Sequence, residues 1–131
     1  SYKNYIGKET SFIGHSLAPA FITDYLLDNH IKIKNLYFAA PFYGEINIPD
    51  FDLVNKPFFI YKDLKRIKNL YDTAVSFIST NDPYVPNQLS VDFSEAIGAK
   101  QIIVPEAGHF NTSAGYIMFE QLYEEIKKNE Y

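Results

Sequence analysis

The chain has 131 residues, 47% of them hydrophobic and 21% charged, with a net charge of −4. That balance gives no electrostatic reason to expect a nucleic acid or an anionic membrane as a partner. The lack of cysteine excludes disulfides, thiolate chemistry and cysteine-ligated zinc, and suits a reducing, cytoplasmic setting.

A chain of this length fits one domain, residues 1–131, and buries roughly two thirds of the surface its unfolded form exposes. No apolar stretch approaches the length of a membrane span, and none reads as a signal peptide. Residues 1–10 are polar, with Tyr2, Tyr5 and Ile6 interspersed; they read as the tail of a helix running into a turn at Gly7. Residues 10–13 form a short strand, apolar on both faces as a central parallel strand should be. Residues 17–29 read as a helix with Pro19 in its first turn, where a missing N–H costs nothing. Ala18, Phe21, Ile22, Tyr25, Leu26 and Leu27 surround much of it, which predicts a well-buried helix. His30, at its end, suits the negative end of the helix dipole better than a catalytic role.

Residues 34–40 form a second strand, stopped by Pro41. Residues 42–61 show no clean period. They are read as a long loop whose aromatics either wall a pocket or cover the sheet edge. Residues 62–70 fit a short amphipathic helix with Leu64 and Ile67 inward; its lysines are interrupted by Asp63, as on a solvated face. Residues 73–79 form a third strand. Pro86 opens a helix that runs to Ile97, with Leu89, Phe93, Ala96 and Ile97 as its buried stripe and Gly98 as its cap. Residues 100–104 form a fourth strand. A last helix, capped by Thr112 or Ser113 and running to about Lys128, carries Ile117, Phe119, Leu122, Tyr123 and Ile126 inward.

Strand and helix alternate throughout. The predicted fold is α/β, a mostly parallel sheet with helices on both faces. Ligands of such sheets bind beyond the carboxyl ends of the strands. Three residues of chemical interest lie just past such ends. Ser16 follows Gly14-His15 and precedes a helical pattern, as in a nucleophile elbow of the G-x-S-x-G type, with Ala18 at the last small position. Asp82 follows the third strand and His109 the fourth. The order Ser, Asp, His is that of the α/β hydrolases.

Each residue also has a plainer reading. Ser16 could be a helix N-cap, Asp82 a turn residue and His109 a structural histidine. Glu106 and Asp92 are alternative acids, ranked behind Asp82. The functional reading gives each residue a distinct task. A serine hydroxyl is a poor nucleophile at neutral pH and needs a base, which in turn needs orienting. His109 would accept the Ser16 proton and Asp82 would fix the imidazole tautomer. The Leu17 N–H would be one oxyanion donor; a second normally comes from a loop after an earlier strand. His15, Phe42, Tyr43 and Phe110 are candidate pocket residues. No His-x-x-x-His, carboxylate-rich or glycine-rich phosphate motif appears, so neither a metal nor a cofactor is expected.

Three segments carry a resemblance: Phe12-Ile13-Gly14-His15-Ser16-Leu17, Ile78-Ser79-Thr80-Asn81-Asp82-Pro83-Tyr84-Val85-Pro86, and Ala107-Gly108-His109-Phe110-Asn111. The chain resembles the small serine hydrolases of the retinoblastoma-binding protein 9 / YdeN type, over what would be their carboxyl-terminal two thirds. The resemblance implies a nearly lid-free α/β hydrolase with Ser16, Asp82 and His109 as its triad. It also implies that the amino-terminal strands and their oxyanion loop precede the portion present, so the domain is expected to be amino-terminally truncated. The expected reaction is hydrolysis of a small-molecule ester, thioester or amide through an acyl-enzyme. The alternative is a non-catalytic scaffold for a protein partner that retains the fold.

Overall fold

The structure, a computed structural model, describes residues 2–59, 63–116 and 118–131. Four strands, β1 (Ser11–His15), β2 (Asn35–Ala39), β3 (Thr73–Ser79) and β4 (Lys100–Val104), form one parallel sheet in sequential order. Between and after them lie α1 (Ala18–Asn29), α2 (Pro49–Asn55), α3 (Asn87–Ile97) and α4 (Glu120–Glu130). No helix among the described residues is long and apolar enough to cross a membrane.

The strand sequences sort themselves by period two. Leu36, Phe38 and Ala74 point to one face. There they meet Leu26 and Leu27 of α1, Phe93 and Ile97 of α3, and Ile67 of a 3₁₀ turn at Leu64–Asn69. Tyr37, Ala39, Val75 and Phe77 point to the other, where Phe119, Leu122 and Ile126 at and along α4 cover them. This division follows from topology. With strands in sequential order, right-handed crossovers all fall on one side. The connections through α1, the 3₁₀ turn and α3 do so, and only the segment after β4 reaches the second face.

The boundaries differ from expectation in instructive places. Residues 2–5 are a 3₁₀ turn and not the end of an α-helix. Within the stretch read as a loop, α2 forms with Pro49 at its start, and both Asp52 carboxylate oxygens accept backbone N–H groups, from Ile46 (2.9 Å) and Ile48 (3.1 Å). No residue of α2 is buried, so it leaves no apolar stripe to detect. Ile60 to Lys62, part of that loop and of the predicted helix after it, lie outside the described residues. In α1, Phe21 and Tyr25 are exposed (44% and 37%). They flank the outer edge of β1, where no described strand pairs. In α3 the buried set is Ser90, Phe93, Ser94 and Ile97; the Ser94 hydroxyl is accommodated there by donating to the Ser90 carbonyl at 2.7 Å.

The largest departure is at the chain's end. Thr112–Ala114 is only a 3₁₀ turn, capped by the Asn111 side chain and closed by Gly115 at φ 87°. α4 begins at Glu120. Tyr123, predicted inward, is exposed, because Phe119, Leu122 and Ile126 alone take the sheet-facing positions. Ile117, also predicted inward, is not among the described residues.

Candidate active site

β1 ends at His15, and the chain turns at once. Ser16 has φ 63°, a left-handed conformation that costs a non-glycine residue about 1–3 kcal/mol. Its N–H is held by the Ala39 carbonyl at the end of β2 (3.0 Å). Gly14 makes this junction possible. A Cβ there would lie 3.0 Å from Ile22 Cδ1, 3.2 Å from Phe38 Cδ1 and 3.2 Å from Pro19 Cδ, so a larger residue would push α1 side chains away from the strand by a few tenths of an ångström. The Leu17 N–H, next along the chain, makes no hydrogen bond among the described residues.

The loops after β3 and β4 bring Asp82 and His109 to the same edge. His109 Nε2 lies 3.0 Å from Ser16 Oγ, and His109 Nδ1 lies 2.7 Å from Asp82 Oδ2. The Asp82 carboxylate can only accept, so the imidazole carries its proton on Nδ1 and presents a lone pair at Nε2 to the serine hydroxyl. The other Asp82 oxygen accepts the N–H groups of Tyr84 (2.8 Å) and Val85 (3.0 Å). Burial pushes the Asp82 carboxyl up, but the bonds from His109, Val85 and Tyr84 outweigh it and hold the carboxyl below its ordinary value. Asp82 is therefore held ionised beside His109.

The candidate pocket residues separate. His15 lies against His109, with ring centroids 4.6 Å apart and Nε2 at 2.6 Å from the His109 carbonyl oxygen. Phe42 is fully buried with Ile46 and Val85. Phe110 is buried beneath the site, stacked on Phe119 at 5.1 Å. Tyr43 hydrogen-bonds to Asp24 of α1 at 3.3 Å. Of the candidate pocket residues, Phe42 and Phe110 thus belong to the core. The open space beside His109 is a cleft of about 280 Å³ of mixed lining, with Asn81, Glu106 and Ser113 beside Pro83 and Ala114, and with Tyr84 edge-on to the imidazole at 5.3 Å. Of the alternative acids, Glu106 lines this cleft and Asp92 is exposed on α3, bonded to Gln88 (2.7 Å). His30 caps the end of α1 in a left-handed conformation.

Sequence reasoning passed over Thr80 and Asn81. Thr80 Oγ1 accepts the Glu106 N–H (2.9 Å) and Asn81 Oδ1 accepts the Gly108 N–H (2.8 Å). Their signal was present in the Ser-Thr-Asn-Asp-Pro run, whose polar side chains have no packing reason to precede a turn. Among the described residues, no group of three or more His, Asp or Glu side chains gathers as a metal site.

The ydeN gene product of B. subtilis superposes with a TM-score of 0.85 at 20% identity, covering 98% of this chain and 69% of that one. A putative YdeN-like hydrolase from Pectobacterium atrosepticum gives 0.68 at 21%, covering 92% and 58%. The carboxylesterase CesB (YbfK) from Bacillus subtilis gives 0.65 at 10%, covering 98% and 62%. The chain thus spans roughly 60–70% of the length of these proteins. No curated protein matches the sequence. These likenesses establish the α/β-hydrolase fold. The model of the family described as "Serine hydrolase" matches residues 2–128, nearly the whole chain, and the chain belongs to that family of enzymes.

Proposed function

We propose that this chain carries the reacting residues of a hydrolase that cleaves an ester, thioester or amide bond through an acyl-enzyme. The observation that carries the reading is the unbroken hydrogen-bond path from Ser16 Oγ through His109 to Asp82, at 3.0 and 2.7 Å. Ser16 Oγ attacks the acyl carbon while His109 Nε2 takes its proton. Asp82 holds the Nδ1 proton and stabilises the imidazolium. The tetrahedral oxyanion forms near the Leu17 N–H. His109 then gives its proton to the departing alcohol, thiol or amine, and the bond from acyl carbon to leaving group breaks. Water, deprotonated by the same Nε2, attacks the acyl-enzyme; the carboxylic acid leaves and Ser16 recovers its proton.

A carboxylesterase among the structural neighbours makes esters the first bond to test. Intact-mass analysis after treatment with a fluorophosphonate probe is expected to give one adduct, absent in Ser16→Ala. A parent chain that takes no adduct, alone or within a longer form, would overturn the reading and leave a non-catalytic scaffold as the better account.

A further inference from the structure

The loop that carries His109 is strained on both sides of it. Glu106 (φ 51°), Gly108 (φ 56°) and Phe110 (φ 51°) all occupy the left-handed region, and only glycine enters it cheaply. Gly108 also has no room for a side chain, since a Cβ would lie 2.8 Å from Ala114 Cβ. Such a backbone keeps one conformation only when groups outside the loop fix it. Two of the fixing groups stand in a regular place in the sequence. Asn81 is the residue before Asp82, and its Oδ1 accepts the Gly108 N–H at 2.8 Å. His15 is the residue before Ser16, and its Nε2 meets the His109 carbonyl oxygen at 2.6 Å. The residue ahead of the nucleophile and the residue ahead of the acid therefore both grip the loop of the base, one on each side of the His109 Cα.

We infer that His15 and Asn81 are positioning residues that hold His109 Nε2 on the Ser16 hydroxyl. The inference rests on the assignment of His109 as general base. A carbonyl oxygen only accepts, so His15 must carry a proton on Nε2. Burial lowers the pKa of His15 and the neighbouring His109 lowers it further, against the opposing pull of the His109 carbonyl and Asp82. A neutral donor is the useful form there, because it grips the carbonyl without adding a second positive charge beside the imidazolium that forms during turnover. Asn81 is fixed in its own turn by the Ser79 hydroxyl, which donates to Oδ1 at 3.1 Å.

The test compares His15→Phe, which keeps the ring and removes the donor, with His15→Gln, which keeps a donor at similar reach. Asn81→Ala is compared in the same way with Asn81→Asp, which keeps an acceptor. Fluorophosphonate labelling in His15→Phe and Asn81→Ala is expected to slow about 10- to 100-fold, the scale set by displacing a reacting group by an ångström or less. His15→Gln is expected to recover most of that loss. The low-field proton resonance of His109 Nδ1–H is expected to shift or broaden in step with the rates. Rates within about twofold of the parent in folded His15→Phe and Asn81→Ala, or a His15→Gln variant as slow as His15→Phe, would overturn the inference. If the parent is never labelled, the function fails but the clamp is still decided by the resonance: displaced in His15→Phe and Asn81→Ala and kept in His15→Gln, the clamp stands; unmoved in all, it falls. Should one truncating variant fail to fold, its conservative partner and the other residue's pair supply the same comparison.

Discussion

Ser16 and Asp82 show how single residues are made unusual by their surroundings. Ser16 stays in the left-handed region because its N–H is taken by Ala39 and its flanking turn is packed against α1. Asp82 is nearly enclosed, its side chain 4% exposed, yet it remains a carboxylate because donors converge on it. Asp82→Asn would present an amide to His109 and favour the wrong imidazole tautomer. Hydrolysis and probe labelling are expected to fall on the order of 10⁴-fold, read as a rate on a small activated ester. Because folding lowers the Asp82 pKa, its contribution to stability is complete above the ordinary carboxylate range and is lost as pH falls through the lowered value. Acid unfolding of Asp82→Asn is expected to lose that component, measured by circular dichroism against pH.

At the scale of elements, packing space and polar anchoring set the limits. Gly14→Val would force branched carbons into contacts already at 3.0–3.2 Å, and a loss of about 1–3 kcal/mol is expected in urea unfolding. α4 is anchored at its far end by Glu130. The carboxylate accepts hydrogen bonds from Ser11 and from Asn35 (3.0 Å) and pairs with Lys34 (3.0 Å). Burial raises the Glu130 pKa, but these partners overcome it and bring it to about 2 from an ordinary 4.5. Its stabilisation is therefore full above about pH 4.5 and fades toward pH 2. Glu130→Gln is expected to flatten stability over that window, checked by urea titrations at pH 2.5, 3.5 and 5. The bounds of β3 and β4 were legible in full, because short runs rich in Val and Ile there are closed by polar turns. The start of α4 was not. Asn111 and Gly115 build a separate turn from the residues that looked like its cap, and only three-dimensional packing tells a capped turn from a capped helix. The three residues of the hydrogen-bonded path were legible because each follows a strand. The burial of Phe42 and Phe110 was not, since an aromatic in an irregular segment carries no period.

Across the whole molecule, the sequential strand order puts three crossovers on one face and leaves the other to α4. α4 has no buried residue of its own and joins the rest through Leu122, Ile126 and the Glu130 anchor. In hydrogen-exchange experiments its amides are expected to open at far lower free energy than those of β2 and β3, which are buried almost throughout. Phe110, next to His109, stacks on Phe119 at the head of α4. A sub-global opening that frees this helix is therefore expected to part His109 from Ser16 while leaving the turn at Ser16 folded. Probe labelling is expected to fail at a lower urea concentration than the far-ultraviolet signal of the sheet. Coincident midpoints would show that helix and sheet open as one cooperative unit. In kinetic terms, α4 is expected to act as a fuse, its brief departures lowering the fraction of molecules in which His109 meets Ser16.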